Sequence, residues 1–342
     1  MVWDGVAVPR YQKPHLTFDD QLDLLDGRGL AIPDRDSARA ALRSIGYYRL
    51  SAYLYPLRKW LPDDERGTAS PASHRSNEFV EGAEFRHAVD LWNFDRRLRL
   101  TLLDAMERVE ISLRTSVAYI LGHRDPFGHL RRSSLDDAQC DMRRRRDGPT
   151  KFEDWCDRYY KQQDEAKPED FVKHHLFKYG EPIPVWIAVE FLNFGSVVRL
   201  YSMMKAEDRH KVAHMHAVES GKVFGSWLLQ LNYLRNVAAH HSRLWNRVLT
   251  VKTGRWHPNQ APENIAHAIA APGDRLYRPL AICASLVRTI DPGSDWSRSV
   301  RTLVRKFPDV PAQTPQVSMG FPDRWEDLPL WAHAPQRLTS RR

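Results

Sequence analysis

The sequence predicts an all-α protein, and three observations carry that prediction. Between Leu91 and Val117 apolar residues recur every three or four positions (Leu91, Phe94, Leu98, Leu102, Met106, Val109, Leu113, Val117), the period of one helix face. A second stripe, Phe224, Trp227, Leu228, Leu231 and Leu234, has the same spacing. Alternating apolar and polar runs, the mark of half-buried strands, are not found, which argues against an α/β enzyme.

The elements follow in order. Thr17 to Asp26 reads as a short helix, with Thr17 as N-cap and Asp20 near the third position. Pro33 precedes a second helix, from Asp34 to Ile45, that stops at Gly46. Residues 46–58, GYYRLSAYLYPLR, interleave aromatics with arginines. Such a segment either packs into a core, as aromatics at this density more often do, or stacks bases and touches phosphates through Tyr47, Tyr48 and Arg49. Residues 62–77 read as a polar loop. A long helical pattern runs from Phe79 to Leu121, with charged positions that include Asp95, Glu107 and Glu110; the last two carry a metal-ligand or acid/base reading, but their opposite-charge neighbours favour a solvated, salt-bridged face. Residues 123–149 read as a charged loop region with the most basic spot in the chain, Arg143, Arg144, Arg145 and Arg146. That tetrad is either a solvated loop or a grip for RNA.

Helices are expected over 152–163 and 171–179, then a break at Pro182-Ile183-Pro184. A helix pair, 186–194 and 196–205, is expected to join at Gly195. Residues 208–217 read as a solvated helix face dotted with histidines, and 222–241 as a further helix. Residues 256–273 read as an irregular arm, 276–289 and 296–306 as the last helices, and the proline-rich stretch after Phe307 as a tail that wraps the surface or is partly disordered. Three regions are expected: 1–78, 79–250 as a helical core, and 251–342.

At 342 residues the chain is long enough for one large or two small domains. No run of 18 apolar residues occurs, and the first 20 residues lack the basic-then-apolar layout of a secretory signal, so a cytoplasmic protein off the membrane is expected. Cys140, Cys156 and Cys283 are scattered and form neither a disulfide framework nor a zinc pattern. No cofactor or metal is expected. The formal charge of +8 fits a polyanionic partner, although arginine-rich genome composition explains it equally well.

The candidate chemistry lies in Arg235-Asn236-Val237-Ala238-Ala239-His240-His241. Arginine presents a planar, permanently charged fork of donors that matches phosphate oxygens. Histidine moves protons near neutral pH. Arginine with histidine five positions on occurs four times, at Arg10/His15, Arg124/His129, Arg209/His214 and Arg235/His240, so spacing alone decides little. Only Arg235 is followed by asparagine and emerges from a strong apolar stripe. On a straight helix Arg235 and His240 point about 140° apart, so the helix must distort or a second copy must supply the partner group. The competing reading is that the histidines cap the helix C-terminus and that Arg243 and Arg247 are surface charges; the functional alternative gives those two arginines to RNA. Glu107 or Glu110 is placed to orient Arg235.

Five stretches together resemble the Abi family of abortive-infection proteins, AbiD/AbiF type: 45–58 (IGYYRLSAYLYPLR), 94–115 (FDRRLRLTLLDAMERVEISLRT), 125–130 (DPFGHL), 186–201 (WIAVEFLNFGSVVRLY) and 234–247 (LRNVAAHHSRLWNR). Such proteins are similar to the HEPN superfamily. The resemblance implies a HEPN-like helical bundle with added N- and C-terminal helices that pairs as a homodimer. It also implies metal-independent endoribonuclease activity in phage defence or as the toxin of a toxin–antitoxin pair, with an RNA substrate and a small antitoxin RNA as partners. It places Arg235, Asn236 and His240 in the catalytic motif, with His241 as an added candidate. Two other classes remain open: an RNA-binding module that does not cut, and a helical adaptor that senses a phage component.

Overall fold

The computed structural model describes residues 12–66 and 74–332. The start of the chain, part of the expected polar loop (67–73) and the end of the expected tail (333–342) lie outside the described residues. The chain is built of α-helices and 3₁₀ turns, with one two-stranded antiparallel sheet among the described residues, and the all-α expectation holds. It divides into two compact units, one running to Phe94 and including Pro308–Gln313, the other Asp95–Phe307 with the segment from Thr314 onward.

In the first unit, α1 (Phe18–Asp26) opens with a capping box: Thr17 accepts from the Asp20 amide and the Asp20 carboxylate accepts from the Thr17 amide. Asp34 caps α2 (Arg35–Ile45) through the Ser37 amide. Gly46, at φ 90°, turns the chain directly into α3 (Tyr47–Leu54), a conformation that costs glycine little. The aromatic–arginine segment packs on one face only: Leu50, Tyr53, Leu54 and Leu57 are buried, whereas Tyr48 is 91% exposed. The expected polar loop partly forms a ribbon. β1 (Arg58–Trp60) pairs with β2 (Arg75–Phe79), Arg58 facing Phe79 and Trp60 facing Arg75. The Arg75 guanidinium sits 3.8 Å over the Trp60 ring and donates to the Arg58 carbonyl at 2.5 Å, so a cation–π contact closes a ribbon with little apolar content of its own.

The long helix α4 (Phe85–Arg124) starts six residues later than the periodicity suggests, because the chain up to Phe79 is spent in β2. Its stripe Leu98, Leu102, Met106, Val109, Leu113 and Val117 is buried within the second unit. The expected charged loop at 123–149 is more ordered than its composition suggests. Asp125 accepts from the Phe127 amide, Arg131 and Ser134, and this carboxylate-centred turn buries His129. 3₁₀ turns and α5 (Asp137–Asp141) follow. Helix α6 (Lys151–Ala166) opens on a Thr150/Glu153 capping box, and α7 (Asp170–Tyr179) follows it. The expected joint at Gly195 is displaced. α8 (Val185–Phe191) ends before Asn193, whose side chain caps α9 (Phe194–Met203) through the Ser196 amide, so Gly195 lies inside the first turn of α9. Asparagine makes a better stop-and-start signal than glycine there because it supplies the acceptor that the new helix lacks.

α10 (Ala206–Met215) leads to α11 (Gly221–Ala239). The histidine-dotted stretch is not uniformly solvated: His216 is buried, bonded to the Val212 carbonyl at 2.8 Å and Ser112 Oγ at 3.0 Å. Gly221 opens α11 against the backbone of Arg209, and the Tyr201 hydroxyl lies between the carbonyls of Arg209 (3.1 Å) and Gly221 (2.8 Å). A Cβ at position 221 would stand 2.9 Å from the Arg209 carbonyl carbon, a backbone atom that cannot swing aside. Gly221→Ala is therefore expected to destabilise the fold by about 1–3 kcal/mol, read as a shifted midpoint in urea unfolding.

The segment 256–273 is not a loose arm. Trp256, Ile265 and Ala268 are buried beside α12 (Tyr277–Ile290), itself almost wholly interior. α13 (Trp296–Arg305) ties back to α4 through Trp296 Nε1 and the Thr101 carbonyl at 2.8 Å. The expected tail also packs. α14 (Pro315–Met319) and α15 (Pro329–Ala332) bring Phe321, Trp325, Leu330 and Trp331 into the core, with Trp331 Nε1 3.2 Å from the Tyr277 hydroxyl. Its prolines set turns between anchors, while the aromatics supply the apolar area that drives burial.

Candidate functional site

Helix α11 carries the motif at its C-terminal end. Its inner face (Phe224, Trp227, Leu228, Leu231, Leu234) is buried, which leaves Arg235 half-buried and Asn236 exposed one turn before the helix stops. Glu110 of α4 approaches Arg235 at 3.7 Å while pairing with Arg114 at 2.6 Å, and Arg114 also donates to the Leu192 carbonyl at 2.9 Å. Of the two carboxylates the sequence offered for orienting Arg235, Glu110 is therefore the one in reach; Glu107 is exposed. The Asn236 side-chain oxygen, Oδ1, accepts from Arg235 at 3.3 Å.

The helix stops within the motif. It ends at Ala239, and the stop is a Schellman motif: the Ser242 amide bonds the Val237 carbonyl and the His241 amide bonds the Ala238 carbonyl, both at 3.0 Å. His241 occupies the left-handed position at φ 55°, where glycine is the usual residue. His240 still makes the helical bond to the Asn236 carbonyl, at 3.0 Å, so it is His241 that leaves the helical path. His240 sits at the cap position, so the helix-capping reading describes its place, and both rings are exposed at the surface, within reach of a ligand.

The chain is pinned immediately after the histidines. Leu244 and Trp245 are fully buried, and their backbone amides donate to the Asp95 carboxylate, Trp245 at 2.6 Å and Leu244 at 3.2 Å. Arg99, also buried, pairs with the other Asp95 oxygen. The expected solvated face holds at Glu107 but fails at Glu110, which is buried, and Asp95 on the same helix is 0% exposed. The signal was present in the spacing: Asp95 falls between Leu91 and Leu98 at helical intervals and so shares the buried face.

Arg235 and Asn236 line a groove of about 590 Å³ with Lys151, Arg158, Arg199 and Asn232. Asn232 Oδ1 is buried there without a hydrogen-bond partner. Arg143, Arg144 and Arg145 line an adjoining groove of about 570 Å³, whereas Arg146 is not part of either lining. Arg243 and Arg247 are half-buried; Arg247 donates to the Arg243 carbonyl at 2.7 Å and lies 3.5 Å from the Tyr233 hydroxyl. Tyr47, Tyr48 and Arg49 belong to α3 of the first unit. Among the described residues no three His, Cys, Asp or Glu side chains are placed to hold a metal ion, and no helix is long and apolar enough to cross a membrane. Sequence reasoning missed Asp95 as an anchor, and Lys151, Arg158, Arg199 and Asn232 as groove residues.

The model of the Abi-like protein family matches residues 40–246, which include α4, the groove and the whole Arg235–His241 motif. The chain belongs to the Abi-like family. Membership suggests a role in abortive infection, a form of phage defence. No curated protein and no solved structure matches the chain. Within this Abi-like chain the match stops at Asn246, just past the residues that Asp95 anchors.

Proposed function

We propose that this Abi-like protein is a metal-independent endoribonuclease of the HEPN type, acting in phage defence by abortive infection or as the toxin of a toxin–antitoxin pair. The observation that carries the reading is the motif's setting: Arg235 and Asn236 in a polar, cationic groove wall, and two exposed histidines held at a defined helix stop one turn away. In this reading His240 or His241 takes the proton from the substrate's 2′-hydroxyl or delivers one to the departing 5′-oxygen. The 2′-oxygen attacks the adjacent phosphorus as the 5′ P–O bond breaks, leaving a 2′,3′-cyclic phosphate and a 5′-hydroxyl. Arg235 places the phosphate and stabilises the extra charge of its pentavalent state, with Glu110 and Asn236 holding the guanidinium in orientation. Two copies pairing about the motif would bring two such sets of groups to one substrate.

The test is cleavage of total bacterial RNA by the purified protein in EDTA, beside Arg235→Ala and His240→Ala, with product ends mapped. Wild-type cleavage to cyclic phosphates, reduced about a hundredfold or more in either variant, is the expected result. Products ending in 3′-hydroxyls, or activity only with magnesium, would overturn the mechanism.

A further inference from the structure

The groove that holds Arg235 does not end there. Its lining shares Lys151, Arg158 and Arg199 with the adjoining groove, which runs on to the arginines at 143–145. Among the described residues of the whole lining one carboxylate, Asp154, faces these cations, and it is already divided between Arg158 at 2.9 Å and Arg199. Lys151 finds only neutral acceptors among the described residues, Gln139 Oε1 at 3.2 Å and the Ser202 carbonyl at 3.3 Å. The arginine loop is built to present its charges here. An antiparallel bridge joins Arg143 to Thr150, the Lys151 amide bonds the Met142 carbonyl at 2.7 Å, and Arg144 and Arg145 stand exposed between them.

We propose that Lys151, Arg158, Arg199, Arg144 and Arg145 form a phosphate track that carries the backbone of an RNA strand from Arg235 to the arginine loop. Charge complementarity selects the occupant: successive cations along one continuous groove, whose described lining holds one carboxylate, match a linear polyanion. Burial, then neighbouring Arg199 and Arg209, push the Lys151 pKa down; burial, then Arg144, do the same to Arg199. These cations therefore crowd one another when the groove is empty, and bound phosphates would relieve that repulsion. The track deepens the ribonuclease reading, in which Arg235 holds the phosphate to be cut.

The experiment separates binding from cleavage. Binding of a fluorescein-labelled, unstructured RNA oligonucleotide is measured by anisotropy over a salt series, in a His240→Ala/His241→Ala background. Two variants are added separately to that background: Lys151→Met/Arg158→Met, and Arg144→Gln/Arg145→Gln, whose side chains are exposed and not needed for folding. Each pair is expected to weaken binding on the order of tenfold and to lower the salt slope by about 1.4, since each phosphate neutralised on a single strand contributes about 0.7. Unchanged affinity and slope in the Arg144→Gln/Arg145→Gln variant overturns the track, as does a background protein that binds no RNA. The two proposals fail separately. A protein with both histidines intact that cuts RNA with an unchanged KM after the track is neutralised loses the track and keeps the ribonuclease. A protein that binds through the track and never cuts keeps the track and loses the ribonuclease.

Discussion

Asp95→Ala is expected to destabilise the second unit by about 3–5 kcal/mol, a large fraction of the ~5–15 kcal/mol that holds a typical domain together. The substitution leaves Arg99 charged, 5% exposed and without its carboxylate. It also strips the acceptor from the Leu244 and Trp245 amides, both of buried residues. Uncompensated buried charge is the costlier of the two losses, because a lone desolvated guanidinium cannot shed its proton. Asp95→Asn separates them. It retains an acceptor oxygen for the amides and removes the charge facing Arg99, so its cost should fall between wild type and alanine. Adding Arg99→Met to Asp95→Asn removes the orphaned charge and should recover part of the loss. Urea unfolding followed by circular dichroism reads all four proteins. An alanine variant within about 1 kcal/mol of wild type would show that the carboxylate is not desolvated as described.

Acid is expected to weaken the fold through His129. Its ring is fully buried against Tyr159, with centroids 5.1 Å apart, and neither ring nitrogen has a hydrogen-bond partner. Burial pulls its pKa down from 6.5 to about 4, against a smaller upward pull from Asp125. Well above pH 6.5 the ring is neutral folded or unfolded, and pH has no leverage through it. Between 6.5 and about 4 the unfolded chain takes a proton that the folded one refuses, so stability falls as pH falls. The full loss is roughly 3 kcal/mol, of which about 2 kcal/mol should appear between about pH 7 and about pH 5. Burial shifts His87, His216 and His267 in the same direction, so the protein's total dependence is steeper still. His129→Leu should remove the His129 share and leave the rest. If that variant kept the wild-type slope from neutral to acid pH in urea unfolding, the assignment to His129 would fail.

The fold was legible where local chemistry and burial agree. The Thr17 and Asp34 caps, the 91–117 stripe and the 224–234 stripe each encode their helix in residues a few positions apart. The sequence misleads where composition and burial part company. The segments 123–149 and 308–332 are charged or proline-rich yet folded around a few anchors, His129 in one and Phe321, Trp325 and Trp331 in the other, and no periodicity marks isolated anchors. At the site, Arg235, Asn236 and the histidines stood out as a contiguous motif. Asp95 and Lys151 did not, because each acts on residues far away in the chain, Asp95 on Trp245 and Lys151 on the groove reached by Arg235. The arginine tetrad was visible as charge, but its link to the motif runs through α6 and α9, a relation only the folded chain supplies.

Both fastenings of the motif belong to one helix. Asp95 holds the chain just after the histidines, and Glu110 lies against Arg235 just before them; at 1.5 Å per residue they are about 22 Å apart along α4. The segment that carries the arginine and the two histidines is thus gauged at both ends against a common ruler, with the last turn of α11 setting the histidines between them. A bend in α4 between positions 95 and 110 would change the interval between those ends directly. Ligands or partners that straighten or flex this rod would act on the spacing of the reactive groups without touching any of them.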